Sequence, residues 1–324
     1  MVSNAWRYLV NKNRIASFID TNLRGASQVF LQDNALTGLI ILVAIFWGAH
    51  AARNLEVGFG AVAGLVISTF MAVLLRADQV SLRQGLFGFN GVLVGVAVPI
   101  FLAHSPAMWV CVVLGAAVST VMTLAINNVA KTWGVSGSTA PFVFTTWLLL
   151  LAAYAFARVP PVLLNAAALP VAASSPGTWP SDIFGILARS ISQVYLIGNA
   201  VTGVLFLIAI AISSLRSAVF AALGAVVSLI VAVGFGANGV AIDTGLYGFS
   251  AVLTAIAVGA VLNQPSTRVM FYALLAAIFT VIVQAALNTA MSPLGIPALT
   301  FPYVLTMWLF QLPGVDLSRR RTTP

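Results

Sequence analysis

The chain has 324 residues, of which 60% are hydrophobic and only 7% are charged. A soluble domain carries about 25% charged residues, so a chain this poor in charge cannot cover a water-facing surface and must face lipid. The formal net charge of +8 does not indicate nucleic-acid binding, because the basic residues are scattered between apolar stretches and cluster only at Arg319–Arg321.

Apolar stretches long enough to cross a bilayer follow one another along most of the chain. A transmembrane helix needs about 20 apolar residues. Ten stretches reach or approach that length: 36–52, 57–75, 86–103, 107–128, 140–157, 200–215, 217–236, 246–263, 269–290 and the shorter 299–312. Two further segments, 25–34 and 190–199, are too brief to cross and are interpreted as tilted or re-entrant pieces. The pattern predicts an all-α integral membrane protein of about ten transmembrane helices plus these two segments.

The distribution of Lys and Arg predicts the orientation of the spans. With the N terminus in the cytoplasm, ten spans return the C terminus to the same side. Only Arg53, Arg158 and Arg189 then lie outside, and the other twelve basic residues lie inside: Arg7, Lys12, Arg14, Arg24, Arg76, Arg83, Lys131, Arg216, Arg268 and Arg319–Arg321. Cytoplasmic loops carry such an excess of basic residues, so we expect both termini to be cytoplasmic.

The chain contains an internal repeat. Residues 27–38 read SQVFLQDNALTG and residues 192–203 read SQVYLIGNAVTG, with eight of the twelve positions identical. GLFGFNGVL at 85–93 matches GLYGFSAVL at 245–253, and the stretch 141–147 matches 302–308. The three blocks keep their order, and the offset between matched positions is nearly constant, which indicates a duplication. We expect a first half over 1–160, an external connecting loop over 161–182 and a second half over 183–324.

Each half holds five predicted spans, an odd number, so the second half enters the membrane the opposite way up. Transport proteins with such inverted repeats place the solute path at the repeat interface, although a duplication can also simply enlarge a bundle. Thr139 and Thr300 each stand shortly before a proline, as residues at helix starts do. A helix start at membrane depth leaves free backbone groups that a polar cavity tolerates and lipid does not, so we favour the pathway.

The spans lack the groups that ion coupling or catalysis requires. All seven acidic residues lie at span edges or in loops, so no proton relay is predicted. His50 and His104 lie at span ends, and the single cysteine, Cys111, cannot form an internal disulfide. Because no catalytic set, metal site or cofactor motif can be assembled, we do not expect an enzyme.

Uncharged polar residues and aromatic rings occur at matched positions of the two halves. The polar set is Gln28, Gln193, Asn34, Asn199, Thr139, Thr145, Thr300 and Thr306, and the aromatic set is Phe30, Tyr195, Phe87, Tyr247, Phe89 and Phe249. Hydroxyl and amide oxygens accept hydrogen bonds and facing rings form a flat slot, which together suit a small planar amide. An ion would find no charge here to replace its hydration shell.

These motifs resemble those of the urea transporter family. The resemblance covers about residues 20–312 and is carried by six blocks in order: Leu23-Arg24-Gly25 with Gln28-Val29, Gln32-Asp33-Asn34 and Gly38; Gly85-Leu86-Phe87-Gly88-Phe89-Asn90-Gly91 with Leu93-Val94-Gly95; Thr139-Ala140-Pro141-Phe142; Gln193-Val194-Tyr195; Gly245-Leu246-Tyr247-Gly248-Phe249; and Thr300-Phe301-Pro302.

The resemblance implies a homotrimer with one pore per subunit, through which urea passes passively and without a cofactor. It implies phenylalanine slots at Phe89 and Phe249, with Leu93 and Leu253 one helical turn further on, and pore ends shaped by Gln28 and Gln193. The candidates for the central hydroxyls are Thr139, Thr145, Thr300 and Thr306, and the sequence leaves open which pair faces the lumen. The compact loops are typical of a bacterial protein, so we expect the bacterial inner membrane.

Three positions depart from the family pattern: Ala140 stands where Leu is frequent, Tyr303 where Phe is, and Ser250 where Asn is. Such changes can alter the permeation of urea analogues. The alternative function is a channel for another small neutral solute, such as ammonia, water or a short amide. The paired mid-membrane histidines of an ammonia channel and the paired Asn-Pro-Ala loops of a water channel are missing from the sequence.

Overall fold

A computed structural model describes residues 4–164, 166–171, 179–315 and 317 of the chain. The predicted cytoplasmic arginines 319–321 and part of the predicted connecting loop, residues 165 and 172–178, lie outside the described residues. Within the described ranges the protein is built from fifteen α-helices and contains no β-strand; the longest connection runs from the end of α8 to the start of α9. The predicted all-α fold class is therefore confirmed.

The helices follow one another in two similar series. The first series is α1 (Asn4–Lys12), α2 (Arg14–Gln28), α3 (Ala35–Ala51), α4 (Glu56–Leu74), α5 (Gln79–Arg83), α6 (Gly88–Phe101), α7 (Pro106–Ala130) and α8 (Ala140–Ala153). The second is α9 (Ile183–Ser192), α10 (Ala200–Ser213), α11 (Leu215–Gly234), α12 (Gly239–Asp243), α13 (Phe249–Ile256) with a π-helical turn (Ala257–Val261), α14 (Thr267–Met291) and α15 (Phe301–Gln311).

Each of the ten predicted spans coincides with one of these helices, to within a few residues at either end. Four helical stretches are long and apolar enough to cross a membrane, namely Glu56–Leu74, Pro106–Trp133, Leu215–Gly234 and Thr267–Leu294. The bent pair of α9 and α10 would make a fifth, and four shorter apolar helices have 10–17 residues. The protein is thus an integral membrane protein, while the count of ten crossing helices stays a prediction.

Large apolar side chains on the outside of the bundle identify the lipid-facing surface. Exposed examples occur on each of the long helices, including Phe70 on α4, Leu114 on α7, Ile230 on α11 and Leu275 on α14. Because water would penalise this much exposed apolar area, the surrounding medium must be hydrocarbon.

The two short predicted segments are the ends of longer helices together with the breaks that follow them. The segment 25–34 is the end of α2 followed by a break in which Leu31 has φ +57°. The segment 190–199 is likewise the end of α9 and a break, and the chain turns by 74° between Ile183–Tyr195 and Ala200–Ser213. Hydropathy missed the earlier turns of α2 because they carry charges. The structure pairs two of those charges, since Arg24 Nε lies 2.6 Å from Asp20 Oδ2.

The backbone repeats its unusual turns at matched positions of the sequence blocks. Gly85 has φ +75°, and its counterpart in the second series, Gly245, has φ +77°. Leu31 and its counterpart Leu196 have φ +57° and +59°. Leucine rarely adopts a left-handed φ, so its occurrence at both matched positions indicates that the surrounding turns are built alike in the two series.

Reciprocal hydrogen bonds join the two series where α3 packs on α10. Thr37 Oγ1 on α3 donates to the carbonyl of Ala209 on α10 at 2.8 Å. Thr202 Oγ1 on α10 donates to the carbonyl of Ala44 on α3 at 3.2 Å. Thr202 is the counterpart of Thr37 in the repeat, and Ala209 is the counterpart of Ala44, so the contact is the same when the helices are exchanged. Such self-complementary contacts are those of surfaces related by a two-fold axis.

Glycines allow α4 and α6 to touch backbone to backbone. A Cβ atom added to Gly64 would lie 2.2 Å from the carbonyl oxygen of Gly91, and one added to Gly95 would lie 2.0 Å from that of Gly60. Small residues at helix interfaces permit this approach in membranes, where no hydrophobic force between helices adds to the packing.

Replacing Gly64 by alanine is therefore expected to lower the midpoint of thermal unfolding in detergent, because overpacking costs about 1–3 kcal/mol. Gly234→Ala is the matched control, since a Cβ there meets no atom within 4 Å, and its midpoint should be unchanged or slightly higher. Equal midpoints for the two variants would contradict the close packing of α4 on α6.

Candidate functional site

The starts of two short helices, α8 and α15, meet at the interface of the two series. Thr139 and Thr300 immediately precede these helices, and Thr300 Oγ1 donates to Thr139 Oγ1 at 2.8 Å. Both side chains are buried. The two threonines occupy matched positions of the repeat. Direct contact between counterparts is expected where two similar series are related by a two-fold axis.

Two tryptophans fix α8 and α15 to the turn before the opposite helix. Trp147 Nε1 on α8 donates to the carbonyl of Pro297 at 2.8 Å, and Trp308 Nε1 on α15 donates to the carbonyl of Ser136 at 2.7 Å. The two donors are counterparts in the repeat and so are the two acceptors, which makes the contact reciprocal. The indole N–H groups thereby hold α8 and α15 in one relative position.

One pair of matched threonines on these helices has no hydrogen-bond partner. The hydroxyls of Thr145 on α8 and Thr306 on α15 are buried and unpaired among the described residues. Of the six buried unpaired side-chain oxygens, which also include those of Asn22, Thr69, Thr146 and Gln311, these are the two that correspond in the repeat. Buried polar groups are nearly always satisfied, so this pair is suited to a solute or water.

Two glutamines link the ends of α2 and α9 to a neighbouring turn in the same way. Gln28 Nε2 donates to the carbonyl of Gln84 at 2.8 Å, and Gln193 Nε2 donates to the carbonyl of Thr244 at 3.0 Å. The acceptors precede Gly85 and Gly245, the glycines with matching left-handed φ. Each amide therefore joins a helix end to the turn that leads into α6 or α13.

The aromatic pair Phe30 and Tyr195 lies in a fully buried cluster between the halves. Their ring centroids are 5.9 Å apart, and both rings pack on Phe206, at 5.5 and 5.3 Å. The Tyr195 hydroxyl also donates to the carbonyl of Ala26 at 2.5 Å. These contacts pack the segments that follow α2 and α9 against each other and against α10.

The remaining predicted site residues lie at the starts of α6 and α13. Phe89 and Tyr247 are half-buried, whereas the other four are buried: Phe87, Leu93, Phe249 and Leu253. Leu93 follows Phe89, and Leu253 follows Phe249, by one helical turn, so the two side chains of each pair share one face of their helix. No ring-to-ring contact joins the four aromatic residues of this group within the part of the chain that the structure describes.

Asn90, which is not among the predicted site residues, supports the site structurally. Its Oδ1 accepts the backbone N–H of Phe142 at 3.1 Å, and its Nδ2 donates to Thr123 Oγ1 at 3.1 Å and to the carbonyl of Ser138 at 3.3 Å. The fully buried amide therefore caps the start of α8 from a neighbouring helix. The sequence feature that could have identified Asn90 is that it is a single asparagine within an apolar predicted span.

Two of the residues that depart from the family pattern, Ser250 and Tyr303, form side-chain hydrogen bonds. Ser250, the counterpart of Asn90, donates to Gln284 Oε1 at 2.8 Å, so the amide here belongs to α14. The hydroxyl of Tyr303, the counterpart of Phe142, accepts from Ser138 Oγ at 2.8 Å. Each substitution therefore keeps its polar atoms satisfied, which an isolated polar group in a buried position would not.

Comparison with known proteins decides the family. The sequence matches the family described as "Urea transporter" over residues 19–314. This chain belongs to the urea transporter family. Urea transporter 1 of Ovis aries is 29% identical over 312 residues, covering 94% of this chain and 79% of the relative. Urea transporter 1 of Rattus norvegicus is 28% identical over the same length and the same shares. The resemblance carried by the six sequence blocks is thus confirmed.

Asn90→Ala is expected to lower the thermal unfolding midpoint in detergent, because it removes the acceptor of the Phe142 N–H and the donor to the Ser138 carbonyl. An unsatisfied buried group costs about 1–3 kcal/mol. Ser250→Ala, which removes one hydrogen bond at the matched position, should lower the midpoint less. The capping role of Asn90 is wrong if both substitutions shift the midpoint equally.

Proposed function

We propose that this chain is a passive, channel-like pathway for urea, which moves down its gradient through a pore at the interface of the two halves. The observation that carries the proposal is the matched pair of unpaired hydroxyls, Thr145 and Thr306, beside the axis contact of Thr139 with Thr300. Membership of the urea transporter family favours urea over ammonia, water or other short amides.

The chemistry of the proposed path suits urea. Urea is planar, donates hydrogen bonds through four N–H groups and accepts them at its carbonyl oxygen. Free threonine hydroxyls can accept from the N–H groups or donate to the carbonyl. An ion would lose its hydration shell without meeting a charge, so the same lining rejects it.

For the topology we propose ten transmembrane helices in two inverted halves, 1–160 and 183–324, joined by an external loop over 161–182. The reciprocal contacts of Thr37 with Ala209 and of Thr202 with Ala44 support a two-fold axis between the halves. The excess of basic residues on one side supports cytoplasmic termini. We place the protein in the inner membrane of a bacterium, as a homotrimer with one pore per subunit.

Among the candidate residues we assign separate roles. Thr145 and Thr306 face the solute, whereas Thr139 and Thr300 satisfy each other and hold the helix starts. Phe89 and Phe249 form the slots, with Leu93 and Leu253 behind them and Phe87 and Tyr247 beside them. Gln28 and Gln193 shape the two pore ends, and Phe30 and Tyr195 form the wall between the halves.

The double variant Thr145→Val/Thr306→Val tests the solute-facing hydroxyls. Valine keeps the shape of threonine, and removing an unpaired buried hydroxyl should leave the unfolding midpoint unchanged or raised. Urea flux into proteoliposomes, measured by stopped-flow light scattering, should fall by about fivefold for each hydroxyl removed. The reason is that losing one hydrogen bond to urea costs ~1 kcal/mol.

Thr289→Val is the control for this experiment, because Thr289 is exposed and its hydroxyl bonds to its own helix at the carbonyl of Ala285. Its flux should equal that of the unmodified protein. Unchanged flux in the double variant would exclude Thr145 and Thr306 from the path.

Phe89→Ala and Phe249→Ala test the slots. Each change should widen a flat passage and raise the permeability of methylurea relative to urea in the same proteoliposome assay. Phe235→Ala is the matched control, since Phe235 is exposed at the end of α11. If the ratio of the two permeabilities is the same in all three variants, the slot assignment is wrong.

A further inference from the structure

A basic cavity lies at one end of the bundle, beside the turn that joins α1 to α2. It has a volume of 720 Å³ and is closed on its other side by α5. Residues from all three helices line it, and four of them are basic: Lys12, Arg14, Arg24 and Arg83. The volume is large enough for a phospholipid head group and far exceeds that of a water molecule.

Most of this positive charge is not neutralised by the protein. Arg24 is paired with Asp20 at 2.6 Å and with Asp33 at 2.5 Å. Lys12, Arg14 and Arg83 make no salt bridge with any of the residues that the structure describes. Three cations around one concave surface attract an anion that can reach all of them.

The helix that lines the cavity is amphipathic. On α2 the cavity-lining residues Arg14, Ser17, Thr21 and Arg24 recur every three or four positions and so share one face. Ile15 and Ile19 lie on the opposite face of α2, with 71% and 44% of their surface exposed, and Val80 on α5, at the cavity rim, is 66% exposed. A helix with a basic face and an exposed apolar face is typical of the boundary between head groups and acyl chains.

The second half does not repeat this charge. The residue that matches Arg83 in the second half is Asp243. Asp182, which starts α9, pairs with Arg189 at 2.9 Å. The N–H of Gly185 and the Arg189 guanidinium lower the pKa of the Asp182 carboxyl, which therefore stays ionised. The basic cavity is thus a feature of one face of the protein and is not required by the repeated fold.

We propose that this cavity binds the phosphate of an anionic phospholipid head group, with an acyl chain lying over Val80 at the cavity rim. Lys12, Arg14 and Arg83 hold the phosphate, since basic pockets between helices at a membrane surface recognise anionic head groups. Gln84 lines the cavity, and its carbonyl accepts the amide of Gln28. The bound lipid would therefore lie next to one proposed end of the urea path.

The proposal is tested by titrating the purified full-length protein in detergent with phosphatidylglycerol or phosphatidylcholine and counting bound lipids by native mass spectrometry. Phosphatidylglycerol should bind and phosphatidylcholine should not. Arg14→Gln/Arg83→Gln should weaken phosphatidylglycerol binding by about thirtyfold, as the loss of two charges predicts. Arg14→Lys/Arg83→Lys, which keeps the charges, should restore most of it.

Arg53→Gln/Arg158→Gln is the matched control, because both arginines are exposed and lie outside the cavity, and their replacement removes the same charge. Its binding should equal that of the unmodified protein. Equal binding in the two glutamine variants, or equal binding of the two lipids, would overturn the proposal. If inorganic phosphate displaces phosphatidylglycerol at equal concentration, the cavity is a site for a soluble anion and the lipid assignment is wrong.

Discussion

The structure depends on hydrogen bonds that join the two halves in a region where water cannot replace them. Thr37 and Thr202 bond to carbonyls of the opposite helix, and Thr139 and Thr300 bond to each other at the helix starts. In hydrocarbon an unpaired polar group is costly, so these reciprocal bonds hold the halves in one relative position. The path that we propose for the solute follows the same interface.

Much of this arrangement follows from the sequence. Hydrophobic length alone located every one of the ten predicted helices, because a segment in lipid must be apolar over most of its length. The repeated blocks contain Gly85 and Gly245, at which the structure has matching turns. Thr139 and Thr300, which the structure brings into contact, stand just before the third pair of blocks. The repeat was informative because counterparts near a two-fold axis must be close in space.

Other features depend on contacts between helices, which the hydrophobic pattern of the sequence does not predict. The sequence left open which threonine pair is free, because hydroxyls at Thr139 and Thr145 look alike until the partner of each is known. The first turns of α2 were missed, since the pairing of Arg24 with Asp20 makes charged residues compatible with a helix there. The cap that Asn90 supplies to α8 joins two helices that are distant in the sequence, and local rules for helix caps do not reach that far.

The most direct test of the account is the accessibility of the two free hydroxyl positions during urea transport. In a Cys111→Ser background, which removes the chain's single cysteine, Thr145→Cys or Thr306→Cys would be treated with methyl methanethiosulfonate in proteoliposomes. We expect modification to block urea flux and millimolar to molar urea to slow the modification. Full modification without loss of flux, or a cysteine that stays unreactive while urea passes freely, would contradict a path along the interface of the two halves.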